Sequence, residues 1–270
     1  WRSNYNGQGF EVNNADIIFH EGVIPYFSIV NTPFSESIKM IFTTNVKDDW
    51  KFGNGAWQKN YSDLSSILKI LPEDCCTTFQ THTNNVRIVK NENRGEGIIQ
   101  PTLIKDYDGI ITNEKNLLLC SFEADCVPVY FYDKSKKAIA MVHSGWRGTC
   151  DLISKNAVSK MVSQFDCNPK DIMVVIGPCA CKNCYEVGEE LIEKFSFNFK
   201  DEINKIFTPC KENKFTLDLP LAIQITLEKT GILLKNIFSV NKCTIESLDL
   251  CSFRRTKSTT SHMLTAIMIS

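Results

Sequence analysis

The sequence predicts a mixed α/β chain organised as one domain, on three observations. Short β-rich apolar runs alternate with amphipathic helical stretches along most of the 270 residues. Residues 127–132 and 138–142 are apolar runs around the polar turn Asp133-Lys134-Ser135-Lys136-Lys137, the pattern of a β-hairpin. No repeat, low-complexity tract or Pro/Gly/Ser-rich linker divides the chain, so residues 1–270 read as a single domain.

Taken in order, residues 17–19, 26–30 and 38–43 read as strands and residues 57–71 as a helix. Residues 86–89 form a short strand, followed by a loop holding Gly95 and Gly97, and residues 117–122 a buried strand. Beyond the hairpin, Gly145-Trp146-Arg147-Gly148-Thr149 breaks the strand. A helix then follows, with Val158, Met161, Val162 and Phe165 spaced i, i+3, i+4, i+7. Residues 172–176 are an unbroken apolar strand ended by Gly177-Pro178. Residues 219–229 read as a helix capped by Asp218, with Pro220 in its first turn, and stopping at Gly231. Residues 237–240 and 264–269 read as closing strands.

Composition narrows the class of function. Hydrophobic residues make up 43% and charged residues 23%, ordinary values for a folded chain. Thirty basic against 31 acidic residues leave a net charge of −1, which argues against a nucleic-acid or anionic-membrane partner. No run of about 18 apolar residues spans a membrane. The start, Trp1-Arg2-Ser3-Asn4-Tyr5-Asn6, has no apolar stretch and does not read as a signal peptide. It also lacks an initiator Met, as expected of a chain trimmed at its start. The twelve cysteines show no regular spacing and several sit inside apolar runs, which predicts free thiols in a reducing cytoplasm.

Histidines number only four, and two sit where chemistry is expected. A hairpin turning at residues 134–135 pairs Cys126 with His143, with Cα atoms about 5 Å apart. A Cys and a His facing each other at the open end of a hairpin form either a metal pair or a thiolate–imidazolium pair. His82, in a polar segment leading into a strand, completes a His₂Cys set, and three protein donors leave one position for water or substrate. Gly145-Trp146-Arg147-Gly148-Thr149 follows His143 as a strand-to-helix turn, where Arg147 and free N–H groups, including that of Gly148, favour phosphate. Arg254 and Arg255 add positive charge, although as an isolated pair they read as a surface feature. Cys179-Ala180-Cys181-Lys182-Asn183-Cys184 lacks a second ligand pair at knuckle spacing and fails the deaminase register, so it reads as a structural turn.

Several segments together resemble a known family, the laccase-domain proteins once described as polyphenol oxidases and now as purine nucleoside phosphorylases. The matching pieces are Asp106-Tyr107-Asp108-Gly109-Ile110-Ile111-Thr112, Ala124-Asp125-Cys126-Val127-Pro128-Val129 and Val142-His143-Ser144-Gly145-Trp146-Arg147-Gly148. Further matches are Ile176-Gly177-Pro178, Cys184-Tyr185-Glu186-Val187-Gly188, Cys243-Thr244 and Ser252-Phe253-Arg254-Arg255. The match runs from about residue 77 to the end; the first 75 residues match loosely, through Asn45-Val46-Lys47-Asp48-Asp49. The resemblance implies one domain of α/β/β/α layers, similar to a deamidase-toxin-like cysteine hydrolase fold, with zinc held by His82, Cys126 and His143. It implies phosphorolysis of adenosine, inosine and S-methyl-5′-thioadenosine, with adenosine deaminase activity beside it. The chain departs from the family's pattern at Asn60-Tyr61, Ile223 and Ser261-His262, where the family carries Asn-Arg, Asn and Gly-Arg.

On this reading Cys126, His143 and Arg147 are the candidate catalytic residues. Arg147, Gly148, Arg254 and Arg255 are the candidate phosphate and substrate contacts. Asp125 and Glu186 are candidates for protonating a departing purine. Two other chemistries remain open. Copper suits a His₂Cys site, but a multicopper oxidase needs about ten histidines, commonly in His-x-His pairs. A metal-free cysteine hydrolase would use Cys126 as nucleophile and His143 as base.

Overall fold

The computed structural model describes residues 12–33, 37–47, 50–102 and 105–270. The expectations for residues 1–6 and for Asp48-Asp49 fall outside the described residues. In chain order the first strands are β1 (Asn13–Asn14), β2 (Asp16–His20), β3 (Tyr26–Val30) and β4 (Ile38–Thr43), followed by helix α1 (Trp57–Leu68). Next come β5 (Cys75–Cys76), β6 (Val86–Ile88), β7 (Gly109–Thr112), β8 (Leu118–Glu123), β9 (Val127–Asp133) and β10 (Ala138–Ser144). Helices α2 (Trp146–Cys150) and α3 (Ile153–Phe165) lead to β11 (Ile172–Ile176), β12 (Glu186–Gly188), α4 (Glu190–Phe199) and α5 (Ile203–Ile206). The chain closes with β13 (Phe207–Lys211), β14 (Lys214–Leu217), α6 (Leu219–Lys229), β15 (Ile237–Ser239), α7 (Phe253–Thr256) and β16 (Met263–Ile269).

Two mixed sheets stack to make the predicted α/β/β/α layers. One has the order β1-β15-β11-β9-β10-β7-β6 and the other β2-β3-β4-β16-β8-β5; a small antiparallel sheet, β12-β14-β13, stands beside them. The strands β9, β10 and β11 are buried at every position, because both faces of their sheet are covered. Period two then assigns each side chain to a layer. Val127, Val129 and Phe131 of β9, with Ala138, Ala140 and Val142 of β10, pack against α3, α4 and α6 through Ile153, Met161, Phe195 and Ile223. The opposite face, Tyr130, Tyr132, Ile139 and Met141, meets Met40, Phe42, Leu119 and Ile267 of the second sheet. The outer face of that second sheet packs on α1 through Tyr61, Leu64 and Leu68.

The central hairpin forms as predicted, with its register moved by two. Asp133 pairs with Ala138 and His143 with Pro128, so Cys126 lies one residue before β9 rather than opposite His143. The cause is the turn. Asp133 Oδ1 accepts the N–H groups of Ser135 and Lys136 and the Ser135 hydroxyl, and Lys137 closes the turn in the left-handed region at φ 50°. An even shift preserves facing, so Cys126 and His143 still share the inter-sheet face as diagonal neighbours.

Other elements follow local chemistry closely. Asp218 caps α6 by accepting the Leu221 N–H at 3.0 Å, with a proline in the first turn, as the sequence requires. The predicted helix 57–71 ends earlier, at Leu68, because Lys69 adopts the left-handed conformation and Pro72 begins a separate turn. Helix α4 was not anticipated, although Leu191, Phe195 and Phe199 bury one face at helical spacing. The hairpin β13–β14 was not anticipated either; four of the five β13 positions are exposed, which removes the apolar pattern.

Candidate metal centre and its surroundings

The layer between the sheets opens at the end of β9 and β10, and the chemically active side chains gather there. His82, Cys126 and His143 place one donor atom each within 4.8 Å of one another. Cys126 Sγ lies 3.9 Å from His82 Nε2, and the two imidazoles meet edge to face with centroids 4.9 Å apart. His143 is buried, Cys126 half-buried and His82 exposed, so the cluster is reached from solvent on the His82 side.

Asp108 holds this arrangement, and sequence reasoning assigned it no role. It precedes β7, which pairs with β10 at Val142–Gly109, so Asp108 is the next residue across from His143. Its Oδ1 accepts from His143 Nδ1 at 2.8 Å and from the His82 N–H at 3.0 Å. Its Oδ2 accepts the Thr81 N–H, the Thr83 N–H and the Thr83 hydroxyl. One carboxylate thus wraps the 81–83 segment, with His82 at φ 64°, and fixes the His143 tautomer that leaves Nε2 as the inward donor. The signal available in the sequence was indirect: a ligating histidine usually carries a carboxylate on its second nitrogen.

Gly145 makes the space. A Cβ there would lie 2.9 Å from Cys126 Sγ and 3.1 Å from His82 Cδ2, so any side chain would enter the cradle between the donors. Two imidazoles and a thiol around an open position are the donor set that zinc favours, and the cradle fits such an ion.

Electrostatics favour ionised partners. Burial opposes the Cys126 thiolate, but His143, with further hydrogen bonding and charge from His82, brings the thiol down to about 6. Burial likewise opposes the His143 cation, yet Cys126 and the Asp108 hydrogen bond raise it to about 10. Asp108 itself stays below its ordinary value, against burial, because His143 and Thr83 stabilise its charge. In metal-free protein the pair is therefore thiolate–imidazolium between about pH 6 and 10. Alkylation of Cys126 consequently stays near its maximum from pH 9 down to pH 7 and falls only as the pH drops through about 6. Site-resolved mass spectrometry after brief iodoacetamide pulses checks this; a rate still climbing towards pH 9, as for an ordinary thiol, would contradict it.

Glu123, at the end of β8, was also missed. Burial pushes it up to about 7 while His143 and hydrogen bonds from Ser121 and Thr265 pull the other way. It is fully buried on β8 of the second sheet, close enough to His143 for the two to influence each other's charge.

The predicted anion residues separate into different roles. Arg147 is exposed and its guanidinium stacks 4.3 Å from the Trp146 ring; α2, which carries it, is only five residues long. Arg254 lies 5.1 Å from the Tyr185 ring, and its backbone N–H donates to Asp125. Tyr185, missed by sequence reasoning, is held up at about 12 by burial and by Cys126, against the pull of Arg254 and Arg147. Arg254 and Tyr185 are thus joined to Asp125, the residue before Cys126, and Arg147 follows His143 on the turn into α2.

Arg255 is placed differently from Arg254: its guanidinium donates to the carbonyls of Thr244, Ile245, Ser247 and Leu250, so it ties the preceding loop together. Gly148 is buried with its Cα side against the Thr83 carbonyl, where a Cβ would come to 3.0 Å; its smallness serves packing. Asp125, at φ 85°, accepts from Thr244 Oγ1 and the Arg254 N–H and so positions the residue next to Cys126. Glu186 is a half-buried partner of Lys211 on the small sheet. At the positions that depart from the family pattern, Tyr61 and Ile223 are core residues.

These features define a class: a four-layer α/β protein with a His₂Cys donor cluster at the mouth of its inter-sheet layer. A family model described as multi-copper polyphenol oxidoreductase laccase matches residues 38–270, and the chain belongs to that family. Its relatives include a purine nucleoside phosphorylase of Staphylococcus epidermidis, 38% identical over 206 residues that cover 76% of each chain. Another is the purine nucleoside phosphorylase YlmD of Bacillus subtilis, 33% identical over 70% of this chain and 68% of that one. Among solved structures, YlmD from Geobacillus stearothermophilus superposes with a TM-score of 0.86 at 25% identity, covering 94% of this chain and 99% of that one. The YfiH protein of Bacillus licheniformis gives 0.84 at 27%, covering 93% and 99%.

Proposed function

We propose that the chain is a zinc-dependent purine nucleoside phosphorylase, converting adenosine, inosine or S-methyl-5′-thioadenosine and phosphate to the free base and the pentose 1-phosphate, with adenosine deamination as a second activity. The observation that carries the reading is the convergence of His82, Cys126 and His143 on one open cradle, with Asp108 behind them, in a chain whose relatives bear that name. In this reading residues 1–270 work as one domain, and the twelve free thiols suit a reducing cytoplasm. No helix among the described residues is long and apolar enough to cross a membrane.

Zinc bound by the three donors would supply a Lewis acid that polarises an oxygen or nitrogen at the reacting centre. The chain's own residues do the positioning. Arg147 and Arg254 attract phosphate and hold it beside the ribose, so that a phosphate oxygen attacks C1′ while the glycosidic bond breaks towards the base. The Tyr185 ring offers an apolar face for the purine. Asp108 keeps His143 and His82 fixed during turnover, which lowers the reorganisation cost.

A second reading draws on the depressed Cys126 thiol beside a protonated His143, the pairing of a cysteine hydrolase. Incubating metal-analysed protein with adenosine and phosphate separates the readings. Adenine with ribose 1-phosphate, or inosine, supports the phosphorylase and deaminase. A fully zinc-loaded sample that yields neither sinks the proposal. Zinc-free protein that hydrolyses amides or esters through Cys126 favours the alternative, and copper-dependent phenol oxidation would point to the older family description.

A further inference from the structure

Beyond that centre, the tertiary structure completes the cysteine cluster that looked unpartnered in the sequence. Cys181, Cys184, Cys243 and Glu246 bring four donor atoms within 4.8 Å of one another. The set consists of two i, i+3 pairs from segments some sixty residues apart: Cys-x-x-Cys before β12 and Cys-x-x-Glu after β15. Each pair sits on a tight turn. The Cys184 N–H donates to the Cys181 carbonyl at 3.0 Å, and the Ser247 N–H to the Cys243 carbonyl at 3.0 Å. A parallel bridge between Cys179 and Cys243 holds the turns side by side, with the Thr244 N–H donating to the Cys179 carbonyl.

The sulfur of Cys243 accepts the Cys181 N–H at 3.4 Å, so the first turn is fastened to the second through one of the donor atoms themselves. Cys184 Sγ lies 3.3 Å from Glu246 Oε1. A tetrahedral ion at about 2.3 Å from each sulfur needs donors about 3.8 Å apart, which this spacing accommodates. Cys181 and Cys184 are half-buried and Glu246 exposed, so an ion has a route in.

We propose that Cys181, Cys184, Cys243 and Glu246 bind a second metal ion, a structural zinc distinct from the His82–Cys126–His143 centre. Four protein donors close the coordination sphere and leave no position for substrate. The ion ties the segment carrying Tyr185 to the segment carrying Thr244, which in turn anchors Asp125 beside Cys126. It therefore braces one wall of the first centre without taking part in its chemistry.

Zinc analysis of the full chain tests this independently of the proposed activity. The unaltered chain is expected to hold two zinc ions. The pair C181S/C184S should hold one, as should the pair H82A/C126S, and cobalt-loaded H82A/C126S should keep thiolate-to-metal charge-transfer absorption. Should the first centre bind no metal, the unaltered chain still holds one zinc, lost only with C181S/C184S. Alkylation mapping of the unaltered protein avoids any folding defect of the variants. Cys181, Cys184 and Cys243 should be protected together by about tenfold or more in zinc, and become reactive together after chelation. Zinc content unchanged by C181S/C184S, equal labelling with and without zinc, or a Cys181–Cys184 disulfide would overturn the proposal.

Discussion

At the proposed zinc centre, Asp108→Ala is expected to weaken metal binding by about 10- to 100-fold and to reduce turnover by a similar factor, because the carboxylate holds His143 and His82 in place. The carboxylate accepts five hydrogen bonds, from His143 Nδ1, three consecutive backbone N–H groups and the Thr83 hydroxyl. Removing it frees the His143 ring to rotate and its tautomer to change. It also leaves the part-buried N–H groups of 81–83 without their acceptor, at a cost of about 1 kcal/mol of folding stability. Asp108→Asn separates the two effects. An amide oxygen in place of Oδ2 still accepts from Thr81 and Thr83, so stability should return in part, while the amide NH2 faces the His82 N–H and His143 Nδ1 and the lost charge leaves His143 a weaker ligand. Competition titration against a chromophoric chelator and urea unfolding measure both; zinc affinity within twofold of the unaltered chain would remove Asp108 from the argument.

Gly145→Ala should be the more selective lesion. The backbone there has φ −72° and ψ 177°, extended values that alanine adopts freely, so the fold itself is not strained. The added methyl instead enters the cradle, 2.9 Å from Cys126 Sγ and 3.1 Å from His82 Cδ2. The donors must part by a few tenths of an ångström or more, and a displacement approaching 1 Å costs about 100-fold in rate. The expected outcome is a protein whose metal-free melting temperature is unchanged but whose turnover in the proposed phosphorolysis falls by about 10- to 100-fold. Full activity in Gly145→Ala would mean that the cradle between the three donors is not where the chemistry occurs.

Much of this was legible in the sequence because it is local. Two apolar runs around a polar turn marked β9 and β10, a further apolar run marked β11, and Asp218 with Pro220 marked the start of α6. Each depends on side chains within a few residues of one another, where periodicity and capping act. The hairpin also brought Cys126 and His143 to one face, and even a register error of two could not undo that, because facing depends only on parity.

What only the tertiary structure decided are the contacts between segments far apart in the chain. Asp108 reaches His143 across a strand pair of 35 residues' separation, and Arg255, read as a cation awaiting phosphate, is taken up by carbonyls of its own preceding loop. Glu123 acquires its raised pKa first from burial between two sheets and further from the nearby Cys126. The clearest case is Cys181-x-x-Cys184. By itself it is half of a ligand set, and its other half, Cys243 and Glu246, arrives through the parallel alignment of segments that follow β11 and β15. Spacing along the chain sets which side chains share a face. Which faces meet is set by the burial of the layers as a whole, and no local pattern records it.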